Sequence, residues 1–359
     1  MSSDPVGLYD DSFYKLQPDV VLKSVEAAGL APTGHCQQLN SYENRVFDLK
    51  LEDGSHVITK FYRPLRWTDE QILEEHAFLF ELQQNDIPVC APLRFPDGST
   101  LKSIEGLRFT VWPRTGGRSA DELTDSQLQL IGRLLGRIHN VGASKESATR
   151  WRLNAGHFAL APLAYLEERE FLPPSLLPRY RKAVLHAVEL FEDLSKGIPV
   201  HRIHGDCHIG NLLYSREQDD ENFFFLDFDD FLTGPAVQDF WMLAPAVDAD
   251  GLRQRAVMID AYRSFRDFDD RQLRLIGPLR AFRYIHYAGW IAKRWSDPAF
   301  PLSFPHFGTD EYWEKETQDL ERLLREIDEP QVGEKADDTQ TTENSEELTN
   351  ADFFWDWEG

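Results

Sequence analysis

The stretch HGDCHIGN, residues 204–211, stands between the apolar run PVHRI (199–203) and the apolar pair Leu212-Leu213. An aspartate, two histidines, a cysteine and an asparagine in one turn are costly to bury unless something satisfies them. A structural zinc site asks for four ligands at recognisable spacing, and here Cys207 and His208 are adjacent with no CxxC or HxxxH beside them. A reactive thiol at Cys207 is disfavoured by the neighbouring Asp206, whose charge raises a thiol pKa. The third reading rests on spacing. Asp206 is followed by four residues and then Asn211, the D-x-x-x-x-N interval of a phosphoryl-transfer loop.

Downstream of the loop, the hydrophobic strand FFFL (223–226) ends in Asp227-Phe228-Asp229-Asp230. Phosphoryl transfer uses these residue types: one carboxylate to orient and deprotonate the acceptor hydroxyl, an amide oxygen and a second carboxylate to hold a divalent cation against nucleotide phosphates. Asp206 takes the first role, Asn211 and Asp227 the second. An isolated HGD would say little; HGDxxxxN followed by strand-DFD is specific.

Upstream, the chain should supply a lysine on a strand and a glutamate on a helix. RVFDLKL (45–51), Asp53-Gly54 and HVITKFY (56–62) read as a β-hairpin. Lys60 sits inside the second strand, where an unpaired ammonium would be costly; the alternative is a lysine snorkelling from an edge strand. The helical pattern 68–84, capped by Thr68, offers Glu74 and Glu75 as partners. Glu75 is preferred, with Leu79 and Leu82 completing its inward stripe. Further expectations are a short helix at 17–29, strands at APLRF (91–95) and LRFTVW (107–112), and a flexible link at TGGR (115–118). Beyond it, helices are expected at 123–142, 175–195, 236–247, 252–266, 270–295 and 310–327. The order predicts an α+β, bilobal protein-kinase-like fold: a sheet-rich nucleotide-binding lobe at 1–112, a hinge at 113–118 and a helical catalytic lobe at 119–328. Trp112 enters the hinge, where backbone groups would hold adenine; a packed tryptophan is the bland alternative.

Composition narrows the partners. A formal net charge of −23 leaves no basic excess to replace phosphate counterions, which argues against nucleic acid and against an anionic membrane surface. Three widely spaced cysteines suit a reducing cytoplasm better than a disulfide framework. No secretion signal or membrane-spanning run is expected. Residues 329–359 are dominated by Asp and Glu with a single lysine, a composition expected to stay disordered. Its end, FFWDWE (353–358), is apolar enough to dock, and the hydroxyls Thr339, Thr341, Thr342, Ser345 and Thr349 precede it.

HGDCHIGN, FLDFDD (225–230) and GPAVQDFW (234–241) resemble the aminoglycoside phosphotransferase/choline kinase-like branch of the protein-kinase-like superfamily. LNSYENRVF (39–47), KFYRPLRWTDEQILEEH (60–76), GPAVQDFWML (234–243) and RWSDPAFP (294–301) closely resemble the bacterial stress response kinase A family of Ser/Thr protein kinases. The similarity runs from about residue 13 to about residue 328. It implies ATP-dependent, Mg²⁺-dependent phosphorylation of protein Ser/Thr hydroxyls in a stress response. The tethered tail with its hydroxyls adds the expectation that the enzyme phosphorylates itself there; the alternative is an inert, solubilising tail. The resemblance also implies Asp206 as the catalytic aspartate, Asn211 and Asp227 as magnesium ligands, and Ser41 as a nucleotide-contacting serine. The alternative is a small-molecule kinase of the same fold, acting on an amino alcohol, a sugar or a homoserine-type acceptor.

The chain departs from a eukaryotic kinase in three places. The loop LNSYENR lacks G-x-G-x-x-G, so Ser41 and Asn44 side chains stand where backbone donors would. Asp229 replaces the glycine of DFG, and no activation loop with an APE ending follows. Asp239 either braces the catalytic loop or is a plain carboxylate at a helix start. Asp229 and Asp230 aid the metal, recognise a cationic acceptor, or form a solvated turn. His204 braces the loop.

Overall fold

A computed structural model of the chain describes Phe13 and residues 16–119, 122–217 and 220–328. The acidic segment 329–359, with FFWDWE and its candidate hydroxyls, lies outside the described residues. In chain order come α1 (Pro18–Ala27), β1 (Pro32–Leu39), β2 (Arg45–Leu51), β3 (His56–Phe61), α2 (Asp69–Gln84), β4 (Lys102–Ile104), β5 (Leu107–Pro113), β6 (Arg118–Ser119) and α3 (Asp125–Ala143). There follow α4 (Ala161–Glu168), α5 (Leu177–Leu194), β7 (His201–Ile203), β8 (Leu212–Glu217), β9 (Asp220–Phe225), β10 (Leu232–Gly234), α6 (Val237–Leu243) and α7 (Ala249–Tyr262). The last are α8 (Ile276–Lys293), α9 (Ala299–Ser303) and α10 (Asp310–Asp328).

Two compact units result. Among the described residues the first runs to Trp151 and resumes over Val200–Phe268, while the second holds Arg152–Pro199 and continues from Asp269. In the first unit, β1-β2-β3-β5-β4 form an antiparallel sheet. The β2–β3 hairpin closes at Gly54, whose φ of +86° suits a residue without Cβ. One face of the hairpin supplies Phe47, Leu49, Leu51, Val57 and Phe61 to a core shared with Val20, Val21 and Val25 of α1. That alternation is the period-2 pattern of a half-buried sheet. The α2 start is fixed by a capping box, Thr68 with Gln71, and α3 by Thr124 with Gln127.

Two small sheets, β10-β7 and β6-β8-β9, carry the segment around HGDCHIGN. The helix α3 lies so close to β7 that a methyl group at Gly142 would collide with the main-chain oxygen of Arg202. In the second unit α5, α8 and α10 pack through Phe191 on Phe282, with ring centroids 4.8 Å apart, and Tyr180 on Trp313, 5.6 Å apart. No helix among the described residues is long and apolar enough to cross a membrane.

The structure corrects some expected elements. APLRF (91–95) is not a strand: Leu93 N donates to Val111 O, but Pro92 has no N–H to continue a ladder. The helix expected over 270–295 is a 3-10 turn, Asp270–Leu275, followed by α8. Pro278 falls in the first turn of α8, where a missing N–H costs nothing. The arginine of TGGR, Arg118, begins the short strand β6, which pairs with β8.

Candidate active site

All the polar residues singled out around HGDCHIGN fall in the first unit. The loop leaves β7 at Ile203 and is held from below by Asp239 of α6. This fully buried carboxylate accepts from His204 N and Gly205 N, each at 2.9 Å, and meets His139 Nε2 at 3.0 Å. Gln238 Nε2 donates to Gly205 O at 3.0 Å and is fixed in turn by Trp241 Nε1 at 2.9 Å. Gly205 has φ +87°, and a Cβ there would press on the carbonyl of Asp230. The site therefore needs glycine. Of the two readings of Asp239, bracing is the one the hydrogen bonds support. His204 Nε2 donates to Leu226 O at 2.7 Å, tying the loop to the end of the segment that carries Asp227.

The loop's 3-10 turn, Ile209–Asn211, is capped by the His208 side chain. Asn211 Nδ2 donates to Asp206 O at 2.9 Å, and Asn211 O accepts from Leu226 N at 2.9 Å. With its nitrogen engaged, Asn211 has its amide oxygen to offer a cation. The main-chain oxygen of Asp206, Asn211 and the residue before Asp227 are thus joined by hydrogen bonds. Cys207 is fully buried. Burial first, then the charges of Asp239 and Asp206, push its thiol well above the ordinary range, which leaves it unreactive.

Asp227 adopts a left-handed conformation, φ 52° and ψ 65°, which is uncommon for a residue other than glycine. Its carboxylate is 3.1 Å from Lys60 Nζ, and Asp229 is 3.2 Å from the same nitrogen. Asp229 also accepts from Asn44 Nδ2 at 3.1 Å and Arg66 Nη1 at 2.6 Å, while Arg66 Nη2 meets both oxygens of Asp230 at 2.7 Å. Arg150 donates to the main-chain oxygens of Asp229 and Phe231, its guanidinium lying over Trp67 and Phe231. Phe228 packs on His204, with ring centroids 4.4 Å apart, and on Phe78 of α2, 5.8 Å apart. Asp229 is no solvated turn. Burial would raise its pKa, but Lys60, Arg66, Arg150 and the Asn44 hydrogen bond hold it well below the ordinary carboxylate range.

The expected Lys60–Glu75 pair is not made. Lys60 takes both aspartates instead. Glu75 is fully buried near it, and neither carboxylate oxygen has a hydrogen-bond partner. Burial pushes the Glu75 carboxyl up to about 8 against the downward pull of Lys60. Lys60 itself is held charged: burial opposes the charge, but Asp227, Asp229 and Glu75 together raise its pKa well above the usual lysine value. Glu74 faces elsewhere and accepts hydrogen bonds from Ser147, Ala148, Thr149 and Arg150.

Ser41 Oγ accepts from Asn44 N at 3.3 Å, so it joins the cluster only through Asn44. Trp112 pairs with Ile58 within the sheet. Its ring lies 5.7 Å from that of His76 and 5.9 Å from Lys60 Nζ, and its buried Nε1 has no partner. Arg66 and Arg150 were not singled out from sequence, and no local pattern marks either.

The donors available to a cation are oxygens: the half-exposed Asp227 carboxylate and the Asn211 amide. A hard divalent ion of the magnesium type suits this set, because it takes one or two protein oxygens and completes its shell with phosphate and water.

Residues 35–276 match the family described as "Phosphotransferase enzyme family". Stress response kinase A of Escherichia coli (strain K12) is 36% identical over 320 residues, covering 89% of this chain and 96% of that one. A protein of Salmonella typhimurium (strain LT2), named serine/threonine protein kinase RdoA, is 35% identical over 322 residues, covering 89% and 96%. Among solved structures, the amicoumacin kinase hAmiN in complex with AMP-PNP, Ca²⁺ and Ami superposes with a TM-score of 0.66 at 20% identity, covering 87% of this chain and 93% of that one.

Proposed function

The chain belongs to the phosphotransferase enzyme family, in its stress response kinase A branch, and we propose that it transfers the γ-phosphoryl group of ATP to serine and threonine hydroxyls of proteins. One observation carries this reading: Lys60 Nζ, from a distant strand, meets the Asp227 carboxylate, and the turn holding Asp206 and Asn211 is hydrogen-bonded to Leu226, the residue just before Asp227. We further propose that 1–112 is the nucleotide-binding lobe, 113–118 the hinge with Trp112 at its start, and 119–328 the catalytic lobe. The protein acts in the cytoplasm, where its free Cys36, Cys90 and Cys207 suit a reducing medium.

In this reading Asp206 accepts a hydrogen bond from the acceptor hydroxyl and takes its proton as transfer completes. Asp227 and Asn211 hold Mg²⁺, and Lys60 and Ser41 contact the nucleotide. Bound Mg²⁺·ATP supplies the transferable group and neutralises the charge that spreads over its phosphates. Lys60 carries three N–H donors, of which Asp227 and Asp229 engage two. A bound metal would compete with Lys60 for the Asp227 carboxylate, and a phosphate would take the remaining donor. The Ser/Thr acceptor is supported by the name of the Salmonella relative. A small-molecule acceptor is the competing reading, since the similar fold of hAmiN serves an amicoumacin kinase.

Incubation with γ-labelled ATP and Mg²⁺ in an undialysed bacterial extract tests the acceptor. Label in protein bands, lost with Asp206→Asn, is the expected result; label confined to small molecules supports the other acceptor class. Calorimetry separates the two aspartates. Asp206→Asn should bind Mg²⁺·ATP with near-normal affinity yet transfer roughly 10²–10⁴ times more slowly. Asp227→Asn should lose the metal-dependent part of binding, with Asn211→Ala intermediate. Metal-dependent binding that survives Asp227→Asn but not Asp206→Asn would show these roles to be reversed.

A further inference from the structure

His208 sits two residues beyond Asp206, and its ring is held at Nδ1. Gly210 N donates to His208 Nδ1 at 3.1 Å, so Nδ1 carries no proton and the neutral ring bears its hydrogen on Nε2. That nitrogen lies 3.7 Å from Asp206 Oδ2, and both side chains are 23% exposed. The gap is too long for a direct hydrogen bond; an acceptor oxygen about 2.8 Å from each atom would fit it. A donor and an acceptor thus face the same narrow place, both reachable by solvent.

We infer that His208 is a second catalytic residue of the loop, donating a hydrogen bond from Nε2 to the phosphoryl group as it crosses to the acceptor oxygen held by Asp206. The inference rests on the phosphoryl-transfer reading above. Its physical reason is charge. The migrating group carries negative charge on its three equatorial oxygens, and the Asp206 carboxylate that positions the acceptor repels them. Lys60 lies with Asp227 and Asp229, at the metal end of the cluster. His208 places a preorganised donor at the acceptor end, where such a donor acts most strongly on the transition state. As the acceptor oxygen–phosphorus bond forms, the bond to the oxygen that leaves with ADP breaks. The acceptor proton passes to Asp206, and His208 keeps its own.

The competing role is structural, since Nδ1 also caps the turn that carries Asn211. Two amide substitutions separate the roles. His208→Gln places an N–H donor near the position of Nε2 and cannot reproduce the cap. His208→Asn places an acceptor near Nδ1 and has no donor at the far end. The readouts are ADP release from Mg²⁺·ATP with a degenerate Ser/Thr peptide mixture, and Mg²⁺·AMP-PNP affinity by calorimetry. His208→Ala should lower kcat roughly 10²-fold while AMP-PNP affinity stays within about threefold of wild type. His208→Gln should recover roughly tenfold of that loss, and His208→Asn should remain at the alanine level. Recovery by Asn rather than Gln, no recovery by Gln, or an unaffected His208→Ala enzyme overturns the inference. Turnover unchanged in Asp206→Asn would sink the reading of the loop itself, a failure distinct from these.

Discussion

Lys60 and Glu75 were expected to neutralise each other, and the aspartates of the DFD turn intervene. Their two charges compensate one buried ammonium, and Glu75 is left in the interior without a hydrogen bond. A carboxyl in that position favours its proton. With its pKa raised from 4.5 to about 8, the native state holds a proton that the unfolded chain has released across that interval. Stability drawn from the protonated form is therefore fully present below about pH 4.5, and is lost as pH rises through about 8. Glu75→Gln removes that loss. The nucleotide-free variant should be more stable than wild type by at least about 1 kcal/mol at pH 9, and the difference should close by pH 5. Urea unfolding at both values measures this, and a difference that widens towards pH 5 contradicts it. In catalysis the order reverses: Lys60→Ala should reduce turnover by roughly 10²-fold or more, Glu75→Gln by less.

Between residues and molecule stands the tie from α2 to the segment after α3. Glu74 receives three main-chain N–H groups and two hydroxyls from Ser147–Arg150. Arg150, at the end of that segment, grips the carbonyls of Asp229 and Phe231. The tie thus runs from a helix to the turn bearing Asp227. With Glu75 preferred as the partner of Lys60, the sequence alone would leave turnover nearly unchanged in Glu74→Gln and says nothing of stability. The structure predicts a loss of about 1 kcal/mol in stability, because an amide offers one acceptor oxygen where the carboxylate offers two charged ones; an unchanged denaturation midpoint would contradict it. This tie also marks the limit of what the sequence discloses. β2, β3, α2 and α3 were legible because their apolar residues repeat at the period of the element that buries them. β1 was not: most of its side chains are exposed, so it carries no alternation. Asp206, Asn211 and Asp227 were legible because two close-set motifs contain them. Arg66 and Arg150 act through partners 163 and 79 residues away, and nothing local distinguishes them from surface arginines.

Across the whole chain the formal charge is −23, yet the proposed ligand is a polyanion. Lys60, Arg66 and Arg150 do not offer ATP a free cationic pocket, because each is already engaged with the acidic turn Asp227–Asp230. Under the proposed function, free ATP would approach a molecule that repels it, and the metal would both remove charge from the phosphates and give Asp227 a partner in place of Lys60. Screening acts unequally on the two forms. The Debye length falls from about 30 Å at 0.01 M salt to about 10 Å at 0.1 M, which weakens the long-range repulsion while leaving short contacts to the metal largely intact. Affinity for metal-free ATP should accordingly rise over this range, affinity for Mg²⁺·ATP should change less, and the ratio between them should shrink. Ligand-induced thermal stabilisation gives the same quantity, amounting to about 2.7 kcal/mol when ligand is at 100 times its Kd. Titrations of wild type and Asp227→Asn with AMP-PNP, with and without Mg²⁺ at both salt concentrations, measure all the terms. The variant should show the salt-assisted, metal-independent binding alone. If metal-free nucleotide bound more weakly as salt rose, attraction by local cations would outweigh the net charge, and Lys60 would be available to phosphate before the metal arrives.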